Sequence, residues 1–276
     1  MLRVHFVSFA KQMISYIAKS CCRPNVFGSN LEYKRFVIVA NQRTGSTMLV
    51  SALGQHPAIC CYSEVLNQAL PMFYVDGLNN HSWLLNKYQK TDPVGFVRDF
   101  IFRGYSELIQ AVGFKVFPAH LQLEQNLGVS KWLSKTMKCA IIRLKRRNHL
   151  ATLVSLERAK ATGIWSAHSN DEVEPFKLRL LPDRCVEAFE RFEKEDRYLD
   201  QMFAEQLTYT VEYEQLRSSS LRVFNELQGV LDVPVRDITS PLRRQNPYPM
   251  SYTLENYGEL ESHFRRTKWS SFFQEK

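Results

Sequence analysis

The apolar run Phe36-Val37-Ile38-Val39-Ala40 stops abruptly at Asn41-Gln42-Arg43-Thr44-Gly45-Ser46-Thr47, and a segment carrying Met48, Leu49 and Leu53 at helical spacing follows. The β-branched run suits a strand, and the spacing of the next segment suits an amphipathic helix. Strand, short polar loop and helix in that order present free backbone N–H groups and the positive end of a helix dipole to one point. Gly45 lets a ligand approach the backbone closely, the Ser and Thr hydroxyls add donors, and Arg43 supplies fixed positive charge. The loop therefore suits a phosphate or sulfate. Taken alone, it also reads as an ordinary strand-to-helix connection whose polar residues cap the helix.

The loop is not a nucleotide-binding Walker A motif, which needs G-x-x-x-x-G-K-[ST]. No glycine stands at the required position before Gly45, no lysine follows it, and the cation precedes the glycine.

The chain of 276 residues is long enough for one large α/β core, and 45% hydrophobic residues without low-complexity tracts mark it as globular. A formal net charge of +8 favours an anionic ligand or surface. No nucleic-acid recognition motif accompanies that charge, and the basic residues gather in loops such as Lys145-Arg146-Arg147 and Arg243-Arg244. The six cysteines follow neither a zinc spacing nor a secreted disulfide framework, so a reducing, cytoplasmic setting is expected. Residues 1–34 form a separate extension. Leu2, Phe6, Phe9, Met13, Ile14 and Ile17 approximate one helical face, interrupted by Arg3, Lys11 and Lys19. The run is too short and too charged to span a bilayer, and it lacks a signal-peptide cleavage site. A packed amphipathic helix is expected there, with a helix lying on a membrane surface as the alternative.

The rest, 35–276, reads as one domain in which strands and helices alternate, the pattern of an α/β fold with a central mostly parallel sheet flanked by helices. Strands are expected at Ala58–Tyr62, Val112–Phe117, Lys138–Leu144 and Leu207–Tyr213. Helices are expected at Leu121–Lys135, from Asn148 as a cap to Thr162, at Asp183–Gln206 and at Glu214–Leu227. Beyond Val233 the prolines 234, 241, 247 and 249 suggest a loop.

A second strand-to-helix junction, Ile141-Ile142-Arg143-Leu144-Lys145-Arg146-Arg147-Asn148, repeats the logic of the first. Arg147 and Ser155 lie eight residues apart, about two helical turns, and so can share a face near the strand end. Singly, each also reads as a surface cation and a neutral helix residue. Together with the first loop, the pattern resembles the sulfotransferases that use 3′-phosphoadenosine 5′-phosphosulfate (PAPS). That family carries a Lys/Arg-Ser/Thr-Gly-Ser/Thr-Thr loop, here Arg43-Thr44-Gly45-Ser46-Thr47, and an Arg-Asn…Ser stretch, here Arg147-Asn148 and Ser155. His149 and Ala151 depart from the Pro and Asp of the cytosolic phenol and steroid enzymes. The finer resemblance is to bacterial carbohydrate sulfotransferases acting on trehalose, lipopolysaccharide or nodulation signals. It rests on Tyr62-Ser63-Glu64-Val65-Leu66-Asn67, Gly113-Phe114-Lys115, Ala159-Lys160-Ala161-Thr162-Gly163-Ile164-Trp165, Tyr213-Glu214-Gln215-Leu216 and Arg243-Arg244-Gln245.

The resemblance implies a P-loop-like three-layer fold and transfer of a sulfuryl group from PAPS to a carbohydrate or glycolipid hydroxyl, releasing 3′,5′-diphosphoadenosine, with no metal. It implies that Arg43, Thr44, Gly45, Ser46 and Thr47 hold the 5′-phosphosulfate, and that Arg147, Ser155, Arg243 and Arg244 hold the 3′ end. Glu64 would be the catalytic base, Lys115 would neutralise the transferring group, and His120 is the alternative base. Domain-swapped dimers among such enzymes make a homodimer an open alternative here. Two other readings stand beside this one: a P-loop kinase or other nucleoside triphosphatase, and a catalytically silent nucleotide-binding relative.

Overall fold

The computed structural model describes residues 27–67, 83–168, 174–243 and 245–274. The helix expected within residues 1–34 falls mostly outside that set. Phe27–Asn30 forms a short strand, β1, whose Asn30 bridges to Tyr105.

The central sheet contains β2 (Lys34–Ala40), β3 (Ile59–Tyr62), β4 (Ala111–Val116), β5 (Ala140–Lys145) and β7 (Thr208–Glu212), in the order β3-β4-β2-β5-β7. Every neighbouring pair in it is parallel. A parallel sheet must be covered on both faces, which explains the unbroken apolar run of β2. Val37 and Val39 join one buried cluster with Val112, Phe114 and Ile141. Phe36, Ile38 and Ala40 join another with Ile142 and Leu144. Full burial of each larger side chain stabilises the fold by roughly 1.5–3 kcal/mol. Gly113 is needed where β4 meets β2, because a Cβ there would lie 2.3 Å from the Phe36 carbonyl oxygen.

The main helices are α1 (Ser46–Leu53), α2 (Trp83–Thr91), α3 (His149–Thr162), α4 (Pro182–Met202), α5 (Tyr213–Ser218), α6 (Ser220–Val230) and α7 (Tyr257–Phe264). Helix α3 begins as its sequence requires: the Ala151 N–H donates to the Asn148 side chain at 2.9 Å. Chain order places β2 centrally, with β4 on one side and β5 on the other. The carboxyl ends of β2, β3, β4 and β5 therefore open on one edge, where ligands of open α/β sheets bind.

Three expectations need correction. The helix expected over Leu121–Lys135 is broken into short pieces, Pro118–Leu121, Glu124–Asn126, Leu127–Lys131 and Trp132–Thr136. The Asn126 side chain, buried at the break, donates to the His120 carbonyl at 2.8 Å. The helix expected over Glu214–Leu227 divides at Ser219 into α5 and α6. The segment beyond Val233 is not a loop throughout: it holds β8 (Leu242–Arg243) and α7, followed by a short turn over Ser270–Phe273. Leu254, Leu260, Phe264, Trp269 and Phe273 are buried there against Leu153, Phe189 and Phe192 of α3 and α4. Burial of those aromatics outweighs the local preference of the prolines. Strand β8 pairs antiparallel with β6 (Ala167–His168).

No helix among the described residues is long and apolar enough to cross a membrane. Cys60, Cys61, Cys139 and Cys185 are buried and outside any disulfide, and burial pushes the Cys139 thiol up to about 12.

Candidate active site

The loop after β2 adopts a conformation that only a fixed set of contacts sustains. Arg43 has φ 63°, left-handed for a residue with a Cβ, and Gly45 has φ 86° as the residue preceding α1. A left-handed non-glycine residue costs about 1–2 kcal/mol, so the neighbours must hold it. Arg146 does so by donating from Nη1 to the Arg43 carbonyl at 2.9 Å, and Thr44 Oγ1 donates to the Asn41 carbonyl at 2.7 Å. A Cβ on Gly45 would lie 2.8 Å from the Tyr213 ring, so this glycine is required by both conformation and space.

The Arg43 side chain joins the two motifs. Its Nε donates to Ser155 Oγ at 3.0 Å, its Nη1 donates to the Trp165 carbonyl at 2.7 Å, and its Nη2 donates to Gln245 Oε1. These acceptors are neutral. Burial pulls the guanidinium down to about 10, with Arg146 adding to the effect and Tyr213 opposing it, so Arg43 stays charged at neutral pH.

A cavity of about 540 Å³ opens beside the loop. Its wall includes Arg43, Gly45, Ser46, Thr47, Glu64 and Ser155 from the sequence-based set. Glu64 follows β3, and β4 places Lys115 beside it. The Lys115 ammonium is almost fully buried, 3.0 Å from Glu64 Oε1, and donates to Thr47 Oγ1 at 3.2 Å. The other Glu64 oxygen accepts from Asn67 Nδ2 at 2.9 Å. Burial alone would raise the Glu64 carboxyl, but Lys115, Asn67 and His120 together bring it below its ordinary value. Burial lowers the Lys115 ammonium, against the pull of Glu64.

His120 Nε2 lies 3.8 Å from Glu64 Oε2, while the Phe117 backbone N–H donates to His120 Nδ1 at 3.3 Å. With Nδ1 accepting, the neutral ring carries its proton on Nε2, directed toward Glu64. Burial depresses His120 to about 4, so the imidazole is neutral at physiological pH. Its acceptor nitrogen is thus engaged by the backbone.

Not every expected residue is brought to the cavity. Thr44 is buried behind the loop. Arg147 points elsewhere: its Nε lies 3.1 Å from Glu212 and 3.8 Å from Glu214. Arg243 is placed by its backbone in β8 opposite Ala167, and Arg244 lies outside the described residues. Conversely, Arg146, Arg217, Tyr213, Asn67, Trp165 and Gln245 line the cavity. Several of these stand inside motifs quoted above. Consecutive residues at a strand end point in different directions, however, and spacing alone did not separate Arg146 from Arg147.

Behind the loop, Asp196 of α4 ties its surroundings together. It accepts from Asn41 Nδ2 at 3.0 Å and from the buried Arg143 at 2.5 Å, and lies 3.5 Å from His149 Nε2. Asp200 takes the other edge of the Arg143 guanidinium at 3.1 Å. A cation inside β5 is thus neutralised by two carboxylates, as a buried charge requires.

No protein-family profile matches the sequence. The chain is 24% identical to nodulation protein H of Rhizobium tropici over 241 residues, covering 87% of this chain and 92% of that one. It is 25% identical to nodulation protein H of Rhizobium meliloti strain 1021 over 252 residues, covering 89% and 97%. Among solved structures, a sulfotransferase from Alicyclobacillus acidocaldarius aligns with a TM-score of 0.47 at 16% identity, covering 84% of this chain and 91% of that one. The parallel sheet, with a strand-to-helix loop at its carboxyl edge, is an α/β fold of the P-loop-like kind. The nodulation H proteins are similar to this chain along nearly their whole length, in agreement with the resemblance to PAPS-dependent bacterial sulfotransferases drawn from the motifs.

Proposed function

We propose that the protein transfers a sulfuryl group from PAPS to a hydroxyl of a carbohydrate or glycolipid, releasing 3′,5′-diphosphoadenosine. The observation that carries this reading is the Arg43–Ser155 hydrogen bond. It joins the two strand-to-helix junctions in one cavity whose wall also includes Glu64.

In the proposed reaction the acceptor oxygen forms a bond to sulfur as the bond from sulfur to the bridging oxygen breaks. Negative charge grows on that bridging oxygen, which leaves with the 5′-phosphate. Positioning and electrostatic stabilisation supply most of such a step, by analogy with phosphoryl transfer. Arg43 and the backbone N–H groups of the 44–47 loop would take up the developing charge. Glu64, kept ionised beside Lys115, would accept the proton of the acceptor hydroxyl, a contribution of about 10²–10⁴ in rate. Lys115 touches both Thr47 and Glu64, so it would neutralise the sulfuryl oxygens while holding the base in place. The acceptor class rests on the resemblance to carbohydrate sulfotransferases and on the nodulation H relatives.

Incubation with sulfur-labelled PAPS and panels of oligosaccharides and glycolipids tests the acceptor, with label expected on a sugar hydroxyl. Calorimetry tests the donor: 3′,5′-diphosphoadenosine should bind more tightly than ATP with magnesium. Preference for ATP, or donor binding without transfer to any glycan, would overturn the reading.

A further inference from the structure

Arg146 has no role in the motif-based assignment, yet its position is one of the most constrained in the cavity. It stands at the carboxyl end of β5, one residue before Arg147. Its guanidinium lies over the Tyr213 ring, 4.3 Å from the centroid, a cation–π contact that holds the charged group in place. The same side chain donates to the Arg43 carbonyl, within the loop that faces the ligand. Tyr213 in turn packs against Gly45, so one aromatic ring supports both the loop and the cation beside it. Arg146 is close enough to lower the affinity of Arg43 for its proton. Two like charges held together in a partly buried cavity repel one another, and an anion placed between them relieves that repulsion. Arg147, by contrast, turns to Glu212 and Glu214.

We propose that Arg146 is a second donor-binding cation, acting with Arg43 on the 5′-phosphate end of the nucleotide. This inference rests on the donor assignment above. A guanidinium donates charge-assisted hydrogen bonds to a phosphate, and the contact with the Tyr213 ring holds Arg146 in place before the ligand arrives. Arg146 thus has two tasks, supporting the left-handed turn at Arg43 and contacting the ligand.

Isothermal titration with 3′,5′-diphosphoadenosine and, by displacement, with adenosine 3′-phosphate locates the effect of Arg146 on the nucleotide, because the second ligand lacks the 5′-phosphate. Arg146→Ala is expected to weaken the first ligand about 10- to 100-fold and the second less than about threefold. Arg147→Ala should weaken the first ligand less than Arg146→Ala does. Unchanged affinity of Arg146→Ala for the diphosphate, equal losses on both ligands, or a larger loss in Arg147→Ala would overturn the proposal. If Arg146→Ala fails to fold, Arg146→Lys is read by the same criteria, since it keeps the charge and loses the guanidinium. A wild-type protein that binds neither ligand would refute the donor assignment itself, a different failure from a wild-type protein that binds both while Arg146→Ala behaves like it.

Discussion

Replacing Glu64 by Gln keeps the side chain's shape and one acceptor oxygen but removes the charge opposite Lys115. The Lys115 ammonium is 1% exposed and has the Glu64 carboxylate 3.0 Å away. Removing one partner of a buried pair costs about 3–5 kcal/mol because the other charge stays buried and uncompensated. Gln still accepts a hydrogen bond, so a loss near the lower bound, about 3 kcal/mol, is expected. For a domain of this size, with about 2–4 °C per kcal/mol, that corresponds to a fall in Tm of roughly 6–12 °C. The pH dependence carries a further signature. Burial already sets the Lys115 ammonium below its unfolded value of 10.5, and loss of Glu64 lowers it further. A base whose folded pKa is depressed penalises the fold while protonated, and the penalty lifts as pH rises through the folded pKa. Glu64→Gln should therefore gain stability relative to wild type as the solution is made alkaline. In transfer assays with labelled PAPS, kcat should fall about 10²- to 10⁴-fold, with 3′,5′-diphosphoadenosine affinity within about threefold of wild type. Calorimetric melting over a pH series and single-turnover transfer measure both effects. A variant with wild-type turnover would refute the assignment of Glu64 as base, and one with an unchanged Tm would refute the account of the buried pair.

Gly45→Ala places a Cβ at φ 86° and 2.8 Å from the Tyr213 ring, so it should cost about 1–2 kcal/mol and weaken 3′,5′-diphosphoadenosine binding, measured by denaturant melts and titration calorimetry. Wild-type affinity in a folded Gly45→Ala protein would show that the loop conformation is not needed for the ligand. His120 is depressed from 6.5 to about 4 by burial, so the unfolded chain binds its proton more readily. The stability it contributes is complete above pH 6.5 and is lost as the pH falls toward 4. The variant His120→Asn should flatten the melting profile across that window. Asp196→Ala strips a 2.5 Å partner from the buried Arg143 and releases Asn41, so a loss of about 3–5 kcal/mol in equilibrium unfolding is expected. A stability change under 1 kcal/mol, measured by the same unfolding, would mean that Asp200 alone neutralises Arg143.

Much of this protein is legible in the sequence because its informative features are local. The β-branched run 36–40 read as a strand. Asn148 marked the start of α3, and the residues of the 41–47 loop marked a strand-to-helix junction whose donors suit an anion. Glu64 and Lys115 were singled out by the motifs that contain them. Their pairing at 3.0 Å was decided by the parallel register that sets β3 beside β4. The helical tail beyond Val233 was hidden for the same reason. Its prolines act locally, whereas its stabilising contacts reach Leu153, Phe189 and Phe192, more than 40 residues earlier in the chain. The direction of each arginine at the end of β5 was likewise settled at a distance, by Tyr213 for Arg146 and by Glu212 and Glu214 for Arg147. Sequence alone fixes which residues can bind an anion, since that depends on chemistry and backbone preference. Only the tertiary structure decides which of them meet in one cavity, since that depends on packing between segments far apart in the chain.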